Sequence, residues 1–333
     1  MIIFLFLVLN IHVSGQESLL CQGKYWTEDH ANLMMKKFAG EWNNRVSWEK
    51  RAKVIRTGII SGMKLDQMPK ADNNFNLIIN NTHNGDGYIV ENVAFESFPG
   101  FYVTGNIYRP AGSGKKNAAI LSPHGHWNNR RLCAEVQLRC AAFARMGAIV
   151  FVYDMVGYSD SRQVTHDIPV VMVSAHFFGG CNCESGMPVH KSKNHQTNNV
   201  EIAALCAPRT MLLISDGSDW TSNTPRIEYP YIQKVCALYN AEHKIENVHF
   251  PAEIHDYGYN KRSAVYPFLA RHLKLDLNKI PYKNGFDESF ITILPEEDLR
   301  VFTAEHPIPV TALKGNDAVV KHLILNLKKT SGC

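Results

Sequence analysis

Thr210-Met-Leu-Leu-Ile-Ser215 running into Asp216-Gly-Ser-Asp219, and further on Val248-His-Phe-Pro251 running into Glu253-Ile-His255-Asp256-Tyr-Gly258, decide the fold class. Each begins as a short apolar run and breaks at a cluster of turn residues, the pattern of a buried strand that stops at a turn. One turn carries an acid and the next a histidine.

Upstream, Ala118-Ala-Ile-Leu-Ser122 is another short buried strand, ending in Pro123-His124-Gly125-His126-Trp127. A helix is predicted from about Arg130 to Met146, with Leu132, Val136, Cys140 and Phe143 on its apolar face and Gly147 as its stop. Ala148-Ile-Val-Phe-Val-Tyr153 follows as a strand ending at Asp154. Before these units the pattern has period two. Tyr88-Ile-Val-Glu-Asn-Val-Ala-Phe95 and Tyr102-Val-Thr-Gly-Asn-Ile-Tyr108 flank Phe98-Pro-Gly100 as a hairpin. Antiparallel strands feeding strand–helix units predict an α/β fold: an open, mostly parallel sheet with helices on both faces. Its strands should lie near 118–122, 148–154, 169–174, 210–215 and 245–250.

The stretch from residue 26 to about 70 reads as helical. Trp48, Ala52, Ile55 and Ile59 form one stripe, with Ser47 as N-cap and Gly62 as stop, so an N-terminal helical extension should pack on the main domain. Asn73 to Gly87 is rich in Asn and Gly and reads as a loop. The expected organisation is a signal peptide over 1–15, the extension and loop over 16–87, the core over 88–277 and a C-terminal extension over 278–333.

Met1-Ile-Ile-Phe-Leu-Phe-Leu-Val-Leu9 with Val13-Ser14-Gly15 behind it has the form of a cleaved secretory signal, without a basic start. A secreted or periplasmic protein is expected, with no membrane association after cleavage. Leu19-Leu20-Cys21 is a poor lipidation match, and Asn80-Asn-Thr82 is a glycosylation acceptor pattern. The 35 basic and 31 acidic residues are mixed along the chain, so a net charge of +4 forms no basic block and nucleic acid is excluded as a partner. Eight cysteines in a chain of this length are no disulfide framework, and Cys133 and Cys140 lie too far apart along one helix to bridge each other. Pairing and oligomeric state stay open.

An acid after one strand and a histidine after the next is the chain order of the α/β-hydrolases. Val103-Thr-Gly-Asn-Ile-Tyr-Arg-Pro110, Ser122-Pro-His-Gly-His126, Tyr153-Asp-Met-Val-Gly157, Val170-Val-Met-Val-Ser-Ala-His-Phe-Phe-Gly-Gly180 and Asp216-Gly-Ser-Asp-Trp220 resemble the exported acetylxylan-esterase-like branch of that family. The resemblance runs from about Trp48 past Ala304. It implies hydrolysis of a small ester or an acylated oligo- or polysaccharide by a Ser-His-Asp mechanism, with no cofactor and no metal. Asp219 would be the triad acid, since Asp216 comes too early in its turn, and His255 the general base. The His124-Gly125-His126-Trp127 turn would line the oxyanion and substrate side through backbone N–H groups.

The nucleophile does not follow. No Gly-x-Ser-x-Gly occurs in the 333 residues. Two helices, the central strand and their connections need roughly 45 residues, and the polar stretch from Asp154 to Pro169 is far shorter. The elbow block and its central strand look excised, either as a splicing or gene-model product or as an evolved loss. Ser174, Ser159, Ser161, Cys181 and Cys183 are weak substitutes, none in an elbow setting. Cys181-Asn-Cys183 with His190 and His195 offers an alternative reading as a zinc site, at tighter spacing than usual. A non-catalytic carbohydrate-binding module would need exposed aromatics that do not appear as a run.

Overall fold

The computed structural model of the chain describes residues 28–67, 75–112, 116–125, 130–165, 189–219 and 221–330. Two helices open it, α1 (Glu28–Gly40) and α2 (Arg45–Gly62). Trp48, Ala52 and Ile55 are buried and Ile59 half-buried, with Trp48 and Ala52 packed in one cluster with Phe38 and Trp42. Each large apolar side chain so buried contributes about 1.5–3 kcal/mol. The cap differs from expectation. Asn44 accepts the Ser47 N–H at 3.0 Å while Ser47 Oγ accepts the Asn44 N–H at 3.1 Å, so Ser47 is the reciprocal partner one turn inside and Asn44 is the N-cap.

The expected loop over Asn73–Gly87 is partly a strand. β1 (Ile78–Asn84) pairs antiparallel with β2 (Tyr88–Phe98). Its polar composition is that of an edge strand with little side-chain burial, which propensity does not signal. Asn81, at φ +52°, absorbs a register shift between Asn80 and Thr82, a bulge that Asn tolerates well. Asn80 donates its amide to Val301 O at 2.9 Å, so the group that glycosylation would consume is already engaged.

β2 and β3 (Phe101–Pro110) form the expected hairpin. β3 pairs antiparallel with β5 (Ala148–Tyr153), which pairs parallel with β4 (Ala118–Leu121), giving the order β1-β2-β3-β5-β4. The crossover helix α3 (Ala134–Arg145) buries Val136, Cys140 and Phe143 against β5. A short hairpin, β6 (Lys191–Ser192) and β7 (His195–Gln196), precedes α4 (Asn199–Ala204). β8 (Met211–Asp216) and β9 (Ile245–Phe250) pair parallel on either side of α5 (Glu228–Ala237), and α6 (Tyr259–Leu273) follows. Leu213 of β8 faces a core made with α1, α2 and α5, while Leu212 and Ile214 face the core of β5, α3 and α6. Helices therefore cover both faces, as an α/β fold requires.

Among the described residues the strands of this α/β fold form a mixed five-stranded sheet, the parallel β8–β9 pair and the short β6–β7 hairpin. β4 ends the first sheet, with Leu121 72% exposed. The strand expected at 169–174 lies outside the described residues, as does the signal segment 1–15.

The connection after β5 is tightly built. Arg131 is fully buried, and its guanidinium donates to Asp154 Oδ1 at 2.7 Å, to Asp160, to Asn106 Oδ1 and to Leu299 O. Asn92 carries the network on to Asp298 O and Arg300 O. The segment beyond residue 278 is thereby fastened to the antiparallel edge, and it ends in α7 (Asn316–Thr330). No helix among the described residues is long and apolar enough to cross a membrane.

Candidate active site

The parallel register pairs Asp216 with Phe250, so the turns leaving β8 and β9 start side by side. Gly217 N donates to Phe250 O at 2.9 Å and Ser218 N to Glu253 O at 3.1 Å. The approach is close enough to demand glycine: a Cβ on Gly217 would lie 2.0 Å from Pro251 O.

This contact brings Asp219 and His255 together. His255 Nδ1 lies 3.0 Å from Asp219 Oδ2. The other carboxylate oxygen, Oδ1, accepts the Thr221 N–H at 2.6 Å and the Thr221 hydroxyl. Thr221 Oγ1 in turn accepts the Asp216 N–H at 2.8 Å. The carboxylate is thus fixed by one oxygen and offers the second to the imidazole. Its side chain is 2% exposed and that of His255 is 41% exposed, so a buried acid orients a solvent-facing ring. With Nδ1–H donated to Asp219, proton transfer would use Nε2.

Asp216, Asp219 and His255 also bring one possible ligand atom each within 4.8 Å of one another. The Lys261 ammonium, 3.1 Å from Asp216 Oδ1, already places a positive charge there that a cation would have to displace. Burial raises the Asp216 carboxyl above its ordinary range, and Lys261 opposes the shift.

His124 is buried at the end of β4. Its Nδ1 lies 2.7 Å from Gly125 O and its Nε2 accepts the Met155 N–H at 3.3 Å, so Nδ1 carries the proton. The ring ties the β4 turn to the β5 turn, and burial holds it below the ordinary histidine range. His126 and Trp127 lie outside the described residues, as do Ser174, Cys181 and Cys183. Ser159 and Ser161 are both buried in the turn after β5, with Ser159 at φ +44°. His190 bonds Asn199 Oδ1 at 2.7 Å, and His195 bonds Ser192 Oγ at 2.6 Å, which places both imidazoles in the local β6–β7 hairpin framework.

Three contributors were missed in the sequence. Asp219-x-Thr221 is a short polar turn pattern that could have flagged Thr221. Gly217 and Lys261 act only through contacts made by folding.

The methylesterase BT1017 matches this structure with a TM-score of 0.75 and 30% sequence identity, covering 91% of this chain and 81% of that one. The chain belongs to the esterase family of BT1017. The "putative acetyl xylan esterase" BF1801 from Bacteroides fragilis NCTC 9343 aligns at a TM-score of 0.44 and 12% identity, over 66% of this chain and 81% of that one. No family model and no curated protein matches the chain. An esterase relationship thus stands on a structural match over 91% of the chain, while the acetylxylan branch expected from the sequence does not follow from it.

Proposed function

We propose that the chain carries the acid–base half of a carboxylic-ester hydrolase site, with His255 as general base and Asp219 as its orienting acid. The observation behind this reading is the 3.0 Å Nδ1–Oδ2 contact, with the carboxylate held from behind by Thr221. In a complete site of this kind, Nε2 takes the proton of a serine as it attacks the ester carbonyl, then returns it to the departing alcohol. Backbone N–H groups near Gly125 would face the developing oxyanion. The substrate class is an ester-decorated carbohydrate, by the sequence resemblance. The name of BT1017 favours a methyl ester as the first one to try.

A second reading has its own support. On this reading the absence of Gly-x-Ser-x-Gly means that the serine half is missing and the chain is a silent relative. The deciding experiment measures hydrolysis of methyl-esterified and acetylated oligosaccharides by the full chain and by a version with a strand–Gly-x-Ser-x-Gly–helix block inserted between Asp167 and Pro169. Activity confined to the inserted version, and abolished there by Asp219→Asn or His255→Ala, supports the acid–base reading. Activity that survives both substitutions sinks it. Export with cleavage near Gly15 is part of the proposal, tested by the N-terminal mass of the protein recovered from the medium or periplasm.

A further inference from the structure

Lys261 sits in the first turn of α6, and its side chain is 0% exposed. A buried ammonium is costly unless each N–H finds an acceptor. Here Nζ donates to Ile254 O at 2.7 Å and to Asp256 Oδ1, lies 3.1 Å from Asp216 Oδ1, and lies 3.5 Å from Glu253 Oε2. These partners have a definite arrangement. Glu253, Ile254 and Asp256 surround His255 in the chain, and Asp216 roots the turn that carries Asp219.

We propose that Lys261 is the positioning residue of the Asp219–His255 pair, its ammonium clamping the histidine loop on both sides of His255 and tying that loop to the aspartate turn. The proposal rests on reading this pair as the acid–base half of the site. The backbone bonds Gly217 N to Phe250 O and Ser218 N to Glu253 O fasten only the loop bases. Beyond Glu253, the carbonyl of Ile254 and the carboxylate of Asp256 hold the segment through Lys261. One cation also meets three carboxylates, from Asp216, Glu253 and Asp256. Removing it leaves them facing one another in a partly buried cluster, and their repulsion pushes the loop outward, carrying His255 with it. Burial alone would lower the Lys261 ammonium, but the hydrogen bond to Asp256 and the adjacent Asp216 carboxylate take it above the ordinary lysine value, so it is a fixed charge at neutral pH.

The experiment uses full-length protein with ¹⁵N-labelled histidine, and reads the solvent-exchange rate of the His255 Nδ1 proton. That signal is assigned by its loss in His255→Ala and its weakening in Asp219→Asn. In Lys261→Met the proton should exchange at least about tenfold faster, the ratio expected when a hydrogen bond to a charged group is lost. A side chain that only stabilises the helix would lower the melting temperature and leave this rate unchanged. If Lys261→Met does not fold, Asp256→Asn removes one arm of the clamp at an exposed-side partner and should speed exchange by about threefold. Unchanged exchange in a folded Lys261→Met, or in Asp256→Asn when that variant decides, overturns the positioning role while leaving the pair intact. Absence of any Asp219-dependent Nδ1 signal in the unsubstituted protein overturns the pair itself, and the clamp with it.

Discussion

Replacing Gly217 with alanine adds one methyl group where two loops touch, and the structure sets its cost. The new Cβ would meet Pro251 O at 2.0 Å and Pro251 C at 2.6 Å, against backbone atoms that cannot rotate away. Relief to ordinary contact requires the turns to part by more than an ångström. That stretches the Gly217 N–Phe250 O bond from 2.9 Å and the Ser218 N–Glu253 O bond from 3.1 Å beyond hydrogen-bond range. Two such bonds are worth about 1 kcal/mol each, and residual strain brings the total to about 2–4 kcal/mol. For a protein of this size the melting temperature should fall by roughly 3–6 °C. Because the same contact sets the 3.0 Å Asp219–His255 spacing, the His255 Nδ1 proton signal should weaken in parallel. Calorimetry and histidine-labelled spectra report both. A melting temperature within a degree of the starting protein, with the histidine signal intact, would refute the view that this close approach builds the site.

Other outcomes follow from the same structure. Arg131→Met leaves Asp154 buried without its cation and Asp160 with only Arg300, and should cost about 3–5 kcal/mol in denaturant unfolding. His124 has a folded-state pKa below the unfolded value of 6.5, so the unfolded chain takes up a proton first. Its contribution is complete above pH 6.5 and is lost as pH falls through the window down to the folded pKa; His124→Asn should remove that part of the pH–stability slope. Thr221→Val deletes the hydroxyl on Asp219 Oδ1 but keeps the backbone donor, and should destabilise by about 1–3 kcal/mol in thermal melts.

How legible the molecule was depends on where the information lies. β2, β3, β4, β5, β8 and β9 were readable because apolar runs or alternation mark strands whose faces are buried. β1 was not, since Asn80, Thr82 and His83 pair through backbone at a sheet edge, with Asn81 as the bulge, and look like a loop to propensity. Asp219 and His255 could be picked out because each follows an apolar strand in a turn, and the fold then places them in contact. Lys261 could not, because a lysine in the first turn of a helix reads as a surface charge. Only folding surrounds it with carboxylates from two distant loops. For His190 and His195, whose spacing suggests ligands, the structure adds hydrogen bonds to Asn199 and Ser192, while Cys181 and Cys183 lie outside the described residues.

The proposal that the Asp219–His255 pair has no serine to activate is tested most directly by treating the folded full chain with a fluorophosphonate probe, which labels activated serines. The account predicts no labelling of the chain as it stands. Stoichiometric labelling that is lost in His255→Ala would contradict it, and the labelled peptide would identify the serine that His255 activates.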